Sequence, residues 1–212
     1  ASFLRAGDPE GARTQLRRLP PDAAPLLHLR RELLHARADL LSGLPRRAAD
    51  RAASVTLHGA AGPSDRAFAS LLRGEARLAA GDDPMAAAAT LREATLAFLA
   101  LDDGPRAVAA RRLRAHALLV AGEPVRAELA AERALEGVPA DDAPGLLRTR
   151  AVLAHAYLAQ GRLDDAEVLL RDNVAGARAL GDDAVLADAF WKLGLVYRGA
   201  GAEQRAAGHL RR

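Results

Sequence analysis

A glycine returns at nearly constant intervals along this sequence, and this limits the possible folds more than any other feature. The intervals are 36, 38, 41, 39 and 40 residues, with a mean of 38.8. Regular spacing of this length is typical of proteins in which one small structural unit is stacked repeatedly on its neighbour. The sequence therefore predicts a repeat architecture with a period of about 39 residues. The glycines are Gly7, Gly43, Gly81, Gly122, Gly161 and Gly201.

Small residues keep a fixed distance from these glycines. An alanine stands five residues after each glycine, and an alanine or glycine stands seven residues before each of the last five. Because a small side chain lets two helices approach closely, we expect both positions to lie where helices cross. The first set is Ala12, Ala48, Ala86, Ala127, Ala166 and Ala206; the second is Ala36, Gly74, Ala115, Ala154 and Gly194.

The residues around each glycine predict that one helix ends there and another begins. Glycine tolerates the left-handed conformation just past a helix, and proline, which follows in four of the six copies, suits the first turn of the next helix. Asp8 and Asp83 precede such prolines and are predicted N-caps. First helices of the pairs are predicted at 25–42, 64–80, 105–121, 144–160 and 184–200, and second helices at 9–19, 45–57, 84–100, 124–137, 163–179 and 203–212.

The composition agrees with an all-α chain and excludes several functions. Alanine, leucine and arginine dominate and isoleucine is absent, which favours helices over strands. Lys and Arg number 30 against 27 Asp and Glu, with no long run of one charge, so direct nucleic-acid binding is not indicated. Absence of cysteine excludes disulfides. No apolar run approaches the roughly 18 residues of a membrane span, and no signal peptide is recognisable, so we expect a cytoplasmic protein.

One stretch resembles a known family. Phe190-x2-Leu193-Gly194-x2-Tyr197, followed by Gly201 and Ala206, resembles the tetratricopeptide repeat (TPR) motif with Phe in the Trp position. The resemblance implies a right-handed α-solenoid of antiparallel helix pairs. Residues 1–212 would form a single array of about five pairs plus a leading half-repeat. The period exceeds the family's usual length of about 34 residues and is similar to the arrays of bacterial regulators. We therefore expect a fragment of a longer bacterial protein.

The resemblance also implies a function, namely a non-catalytic scaffold that binds a protein or peptide, or a sensor. In the family, the first helices line a concave groove, and here that groove would be mostly basic and suited to an acidic peptide. A small anionic effector of a transcriptional regulator is the alternative ligand, and the same arginines on a solvated helix face are the structural alternative. The implied groove residues are Arg37, Glu75, Arg112, His116, Arg148, His155, Trp191 and Lys192, with Arg30, Phe68, Asp188 and Arg198 at equivalent positions.

Two further features admit more than one interpretation. Trp191 either contacts a partner in the groove or packs against a following helix, and the C-terminal helix pair is a candidate for self-association. His28, Glu32, His35 and Asp39 share one helix face, which suggests either a metal site or a polar stripe opposite the leucines at 26, 29, 33 and 40. A metal site needs ligands from a second element, so the polar stripe is favoured. No cofactor, metal or catalytic motif is predicted.

Overall fold

The structure, a computed structural model, describes residues 8–17 and 25–199, and within these ranges all regular structure is helical. The predicted helices in this part of the chain are all present, with ends within two residues of the expected positions. The predicted helix 203–212 lies outside the described residues. The helices are α1 (Pro9–Arg17), α2 (Pro25–Leu41), α3 (Pro45–Leu57), α4 (Pro63–Ala80), α5 (Pro84–Leu99), α6 (Gly104–Val120), α7 (Pro124–Leu135), α8 (Ala143–Ala159), α9 (Leu163–Leu180) and α10 (Asp183–Gly199).

The predicted helix ends are confirmed by backbone conformation and capping. Four of the repeat glycines, at positions 43, 81, 122 and 161, have φ between 69° and 76°, the left-handed region that glycine enters without strain. The predicted N-caps also form. Asp8 accepts a hydrogen bond from the backbone N–H of Gly11 at 2.8 Å, and Asp83 accepts from Met85 at 2.9 Å.

The alanines five residues after the repeat glycines were predicted to lie at helix crossings. This prediction is confirmed in four described repeats and is wrong by one residue in another. The alanines at 12, 48, 127 and 166 are buried at helix crossings, as expected. Ala86 is only partly buried, and Ala87 is fully buried instead. The cause is a turn that is one residue longer, because α5 begins three residues after Gly81 whereas α3 begins two residues after Gly43. The helix therefore presents Ala87, rather than Ala86, at the crossing.

The second small-residue position is confirmed throughout, and Gly74 shows why it must be small. All five of these residues are buried. A Cβ atom added to Gly74 would lie 2.5 Å from Cγ of Leu91 on the next helix, which is closer than real carbon atoms approach. Glycine thus permits the tight packing of α4 against α5.

Contacts divide the chain into two compact units, residues 1–113 and 114–212, with the division inside α6. In the first unit, α1 to α4 each pack against the next helix, and the first helices α2 and α4 also contact each other. Its core combines Leu33 of α2, Val55 of α3 and Leu72 of α4 with alanines between them. This is the packing expected of stacked helix pairs. The expectation of one array over 1–212 stays a prediction.

The second unit has the same plan. Helices α7 to α9 each pack against the next, and the first helices α8 and α10 contact each other. Its core is centred on Phe190, Leu193 and Tyr197 of α10, which pack against Leu170 of α9. Contact between successive first helices places their side chains on a common surface, so this surface is where a binding site is sought.

Candidate functional site

The neighbours Phe190 and Trp191 have different environments, and this explains the unusual concentration of aromatic residues near the end of the sequence. Phe190 is 7% exposed and belongs to the core, as its place in the motif predicts, whereas Trp191 is 49% exposed. On a helix, successive residues point about 100° apart, so one aromatic ring can fill the core while the next faces solvent. The single tryptophan of the chain is therefore available for contact with another molecule.

Cationic side chains surround His155 in the second unit. His155 is half-buried on α8, and its pKa is lowered from the ordinary value of 6.5 mainly by burial. The positive charges of Lys192 on α10 and His116 on α6 lower this pKa further, and Asp188 partly opposes them. Three successive first helices thus bring titratable or charged groups at positions 116, 155 and 192 close enough to interact.

Lys192 and Arg148 on this surface are held by carboxylates. Lys192 is buried, and its Nζ donates hydrogen bonds to both carboxylate oxygens of Asp188, one helical turn earlier. Arg148 is exposed, and its Nη2 lies 3.7 Å from Oδ2 of Asp182. On α10, Asp188, Trp191 and Lys192 follow at i, i+3 and i+4, a spacing that places them on one face. We call Arg148, His155, Asp188, Trp191 and Lys192 the second-unit face.

This arrangement suits binding better than covalent chemistry. An exposed aromatic ring provides apolar contact area, and the arginine, lysine and histidine can interact with carboxylates.

Within the described part of the chain, no group of three or more His, Asp or Glu side chains could hold a metal ion. No helix in that part is both long and apolar enough to cross a membrane.

The predicted groove residues of the first unit form an ion pair and line a cleft. Nη1 of Arg37 on α2 donates to Oε2 of Glu75 on α4 at 2.6 Å, so these two residues neutralise each other. Arg30 and Phe68 line an open cleft together with Arg106 of α6. Arg112 lies on α6, one turn before His116, and both have further interactions of their own. In the second unit, the predicted groove residue Arg198 is exposed at the end of α10. The structure thus separates the predicted groove residues into two groups, one in each unit.

The polar stripe on α2 takes part in an ion-pair network, while the leucines at 29, 33 and 40 on the opposite face pack in or against the core as expected. Asp39 is buried, and its carboxylate accepts hydrogen bonds from Arg13 of α1 at 2.7 Å and Arg51 of α3 at 2.8 Å. Arg51 also donates to Glu32 at 2.5 Å. Leu26, expected on the buried face, is exposed instead. Helix α2 packs against α1, α3 and α4, so polar and apolar sides are both covered.

Some residues of the candidate sites could not be found from repeat positions. Asp182 pairs with Arg148 but lies in the connector before α10, and Arg106 contributes to the cleft of the first unit from the first turn of α6. Neither occupies a position that the repeat pattern marks. A sequence signal existed for Asp182, which lies directly before the first turn of α10, but none existed for Arg106, whose contact with the ring of Phe68 depends on the fold.

Comparison with known proteins identifies the class of fold. No protein-family model matches the sequence, and no curated protein sequence matches it. Solved structures do match, and they include TPR-like repeats, so the chain has the all-α repeat fold of TPR-like proteins. Their identities, of 13% and 20%, support the fold alone.

Three solved structures illustrate the similarity. RapI in its apo form has a TM-score of 0.77 and 13% identity over 99% of this chain and 61% of RapI, so the chain spans less than two thirds of that protein. BtubC (BKLC) from P. vanneervenii has a TM-score of 0.68 and 20% identity over 100% of this chain and 88% of BtubC. TPR-like repeats of the kinesin light chain type from Podosopora anserina have a TM-score of 0.66 and 20% identity over 87% and 92%.

Proposed function

We propose that the chain is a non-catalytic interaction scaffold that binds an acidic protein segment on its second-unit face. The observation that carries this proposal is the exposed Trp191 beside a group of cationic side chains on successive first helices. Tryptophan and arginine are enriched among the residues that contribute most to binding at protein interfaces. Similarity to TPR-like repeats supports an interaction role for the fold.

The environment of His155 favours an acidic partner. Arg148 and Lys192 are paired with Asp182 and Asp188, but His155 lies near Lys192 and His116 and its pKa is lowered partly by their charges. A carboxylate placed near His155 would relieve this repulsion. The binding of an acidic segment would therefore be coupled to proton uptake by His155.

A small anionic effector is the second candidate, and the environment of His155 favours it for the same reason. A single carboxylate or phosphate could satisfy His155 and Lys192, but it would leave the ring of Trp191 uncovered. An extended segment would cover both. We therefore rank the peptide above the small anion.

We further propose that this scaffold belongs to a larger bacterial regulatory protein that acts in the cytoplasm. The match to RapI, of which the chain spans 61%, is compatible with a longer parent protein.

Self-association through Trp191 is a further proposal, and sedimentation of the chain across a range of concentrations tests it. A monomer at all concentrations would contradict it.

Selection from a library of random displayed peptides tests the principal proposal. Peptides that contain several Asp or Glu residues and an apolar residue should be enriched on the full chain. A Trp191→Ala variant should lose this enrichment, whereas an Arg66→Gln variant, changed at an exposed arginine of the first unit, should keep it. No enrichment of acidic peptides, or an enrichment that Trp191→Ala leaves intact, would contradict the proposal. Response to small anions alone would favour the second candidate.

A further inference from the structure

A second possible site lies in the first unit, where an open cleft of about 300 Å³ is formed by α2, α4 and the first turn of α6. Its volume is at the lower end of the range for small-molecule sites. This would accommodate a group comparable to one amino-acid residue rather than an extended chain. The lining includes Arg30, Leu33, Leu34, Asp65, Phe68 and Arg106.

The floor of this cleft is apolar and firmly supported. Leu33 is buried in the core of the first unit, and Phe68 packs against the same core. The guanidinium carbon of Arg106 lies 5.6 Å from the centre of the Phe68 ring and 6.0 Å from that of Phe98. Cation–π contact with these two rings restricts where the Arg106 head can lie. An apolar surface and a positioned cation therefore meet at one end of the cleft.

The two arginines of the cleft are less completely paired than Arg51 of the same unit. Nε of Arg30 lies 3.6 Å from Oδ1 of Asp65, which is beyond hydrogen-bond distance, and its side chain is 61% exposed. Arg106 forms one side-chain hydrogen bond, from Nη1 to Oδ2 of Asp103 at 2.5 Å. By contrast, Arg51 donates to both Asp39 and Glu32. Guanidinium groups have five N–H donors, so Arg30 and Arg106 retain donors for a ligand.

We propose that this cleft is a binding site for a carboxylate carried on an apolar group about the size of one amino-acid side chain. The apolar group would cover Phe68 and Leu33, and the carboxylate would accept hydrogen bonds from Arg30 and Arg106. A carboxylate matches the planar fork of a guanidinium, which supports this choice of anion. Either a small free acid or the last residue of a peptide has this chemistry.

Calorimetric titration of the full chain with N-acetyl-L-phenylalanine and with N-acetyl-L-phenylalaninamide tests the proposal, because the two probes differ only in the carboxylate. The acid should bind, and the amide should bind at least about tenfold more weakly, since charge-assisted hydrogen bonds are lost. Arg30→Gln should reduce binding of the acid by a similar factor. Arg66→Gln removes the same charge from an exposed position of α4 outside the cleft and should change binding less than about twofold.

A peptide that ends in phenylalanine with a free carboxylate forms a second arm. Tighter binding of this peptide than of the single residue would identify a chain end as the ligand, and equal binding would identify a small acid. Trp191→Ala should leave binding of both unchanged, because Trp191 belongs to the second unit, so this site and the second-unit face can fail separately. Absence of binding by both acids, equal binding of acid and amide, or equal loss in Arg30→Gln and Arg66→Gln would overturn the proposal.

Discussion

Arg37 and Glu75 occupy the same repeat position on successive first helices, and their side chains form an ion pair of 2.6 Å. The corresponding residues of the second unit are His116 and His155, which cannot neutralise each other and whose charges interact unfavourably. One repeat position thus holds an ion pair in the first unit and, in the second, two histidines whose protonated forms repel each other. This difference is the physical reason for assigning the candidate partner site to the second-unit face.

The stability of the chain should depend on pH through His155. Its pKa in the folded chain is lowered below 6.5 by burial and by Lys192 and His116, against the opposing charge of Asp188. The unfolded chain therefore binds a proton more readily. His155 costs no stability well above pH 6.5 and costs progressively more as the pH falls below that value. Melting temperatures at pH 7.5 and 5.5 should differ less in His155→Gln than in the unmodified chain.

Two comparisons isolate this contribution. His35 also has a lowered pKa, mainly through burial and then through Arg51. Because His35 is present in both His155→Gln and the unmodified chain, its effect on the melting temperature cancels when the two are compared. His28→Gln, which removes an exposed histidine of α2, is the matched control. A drop in melting temperature that is equal in His155→Gln and in the unmodified chain would show that the environment of His155 does not favour its neutral form.

Substitution of Phe190 should mainly lower stability, whereas substitution of Trp191 should mainly weaken binding. Phe190→Ala removes a buried ring and should lower the free energy of unfolding by about 3–5 kcal/mol, as is usual for phenylalanine in a core. Trp191→Ala changes a half-exposed side chain and should cost less than about 1 kcal/mol, yet it should abolish binding of acidic peptides. Urea unfolding and peptide titration measure the two effects. Equal destabilisation by both substitutions would mean that Trp191 serves the core.

The network around Asp39 should contribute strongly to the stability of the first unit. Asp39→Asn leaves Arg13 and Arg51 without a buried anionic partner and should cost about 3 kcal/mol, at the lower end of the cost of breaking a buried pair. Asp50→Asn, at an exposed position of α3, should change stability by less than about 0.5 kcal/mol. Chemical unfolding measures both, and similar values for the two variants would contradict a structural role for Asp39.

The close packing of Gly74 against Leu91 should produce a measurable coupling. Gly74→Ala places a methyl group against Cγ of Leu91 and should destabilise the chain by about 1–3 kcal/mol, despite the better helix propensity of alanine. Leu91→Ala opens the space, so the double variant should be more stable than the sum of the single effects predicts. Gly104→Ala, where an added methyl group meets nothing within 4 Å, is the control. Additive effects would show that a methyl group at position 74 does not press against Leu91.

Sequence patterns predicted the helices well because their causes are local. The glycines at 43, 81, 122 and 161 fix the turns through their own backbone conformation, and proline begins the next helix after the first three of them. Ala86 was assigned wrongly because one extra residue in a turn rotates the following helix. Pairings such as Arg37 with Glu75 depend on how residues from different helices meet, and composition does not reveal them. The burial of Asp39 likewise required knowledge that α1 and α3 both reach it.

Hydrogen–deuterium exchange of the full chain, with and without the acidic peptide that is most enriched in library selection, tests whether a partner binds on the second-unit face. Local opening governs exchange, so a bound segment should slow it where the segment contacts the helices. Protection should increase in α8 around 148–155 and in α10 around 188–192. Exchange should stay unchanged in α2 and α4 and in the second helices α7 and α9. Protection centred on α7 and α9 or on the first unit, with none in α8 and α10, would contradict the assignment of the second-unit face.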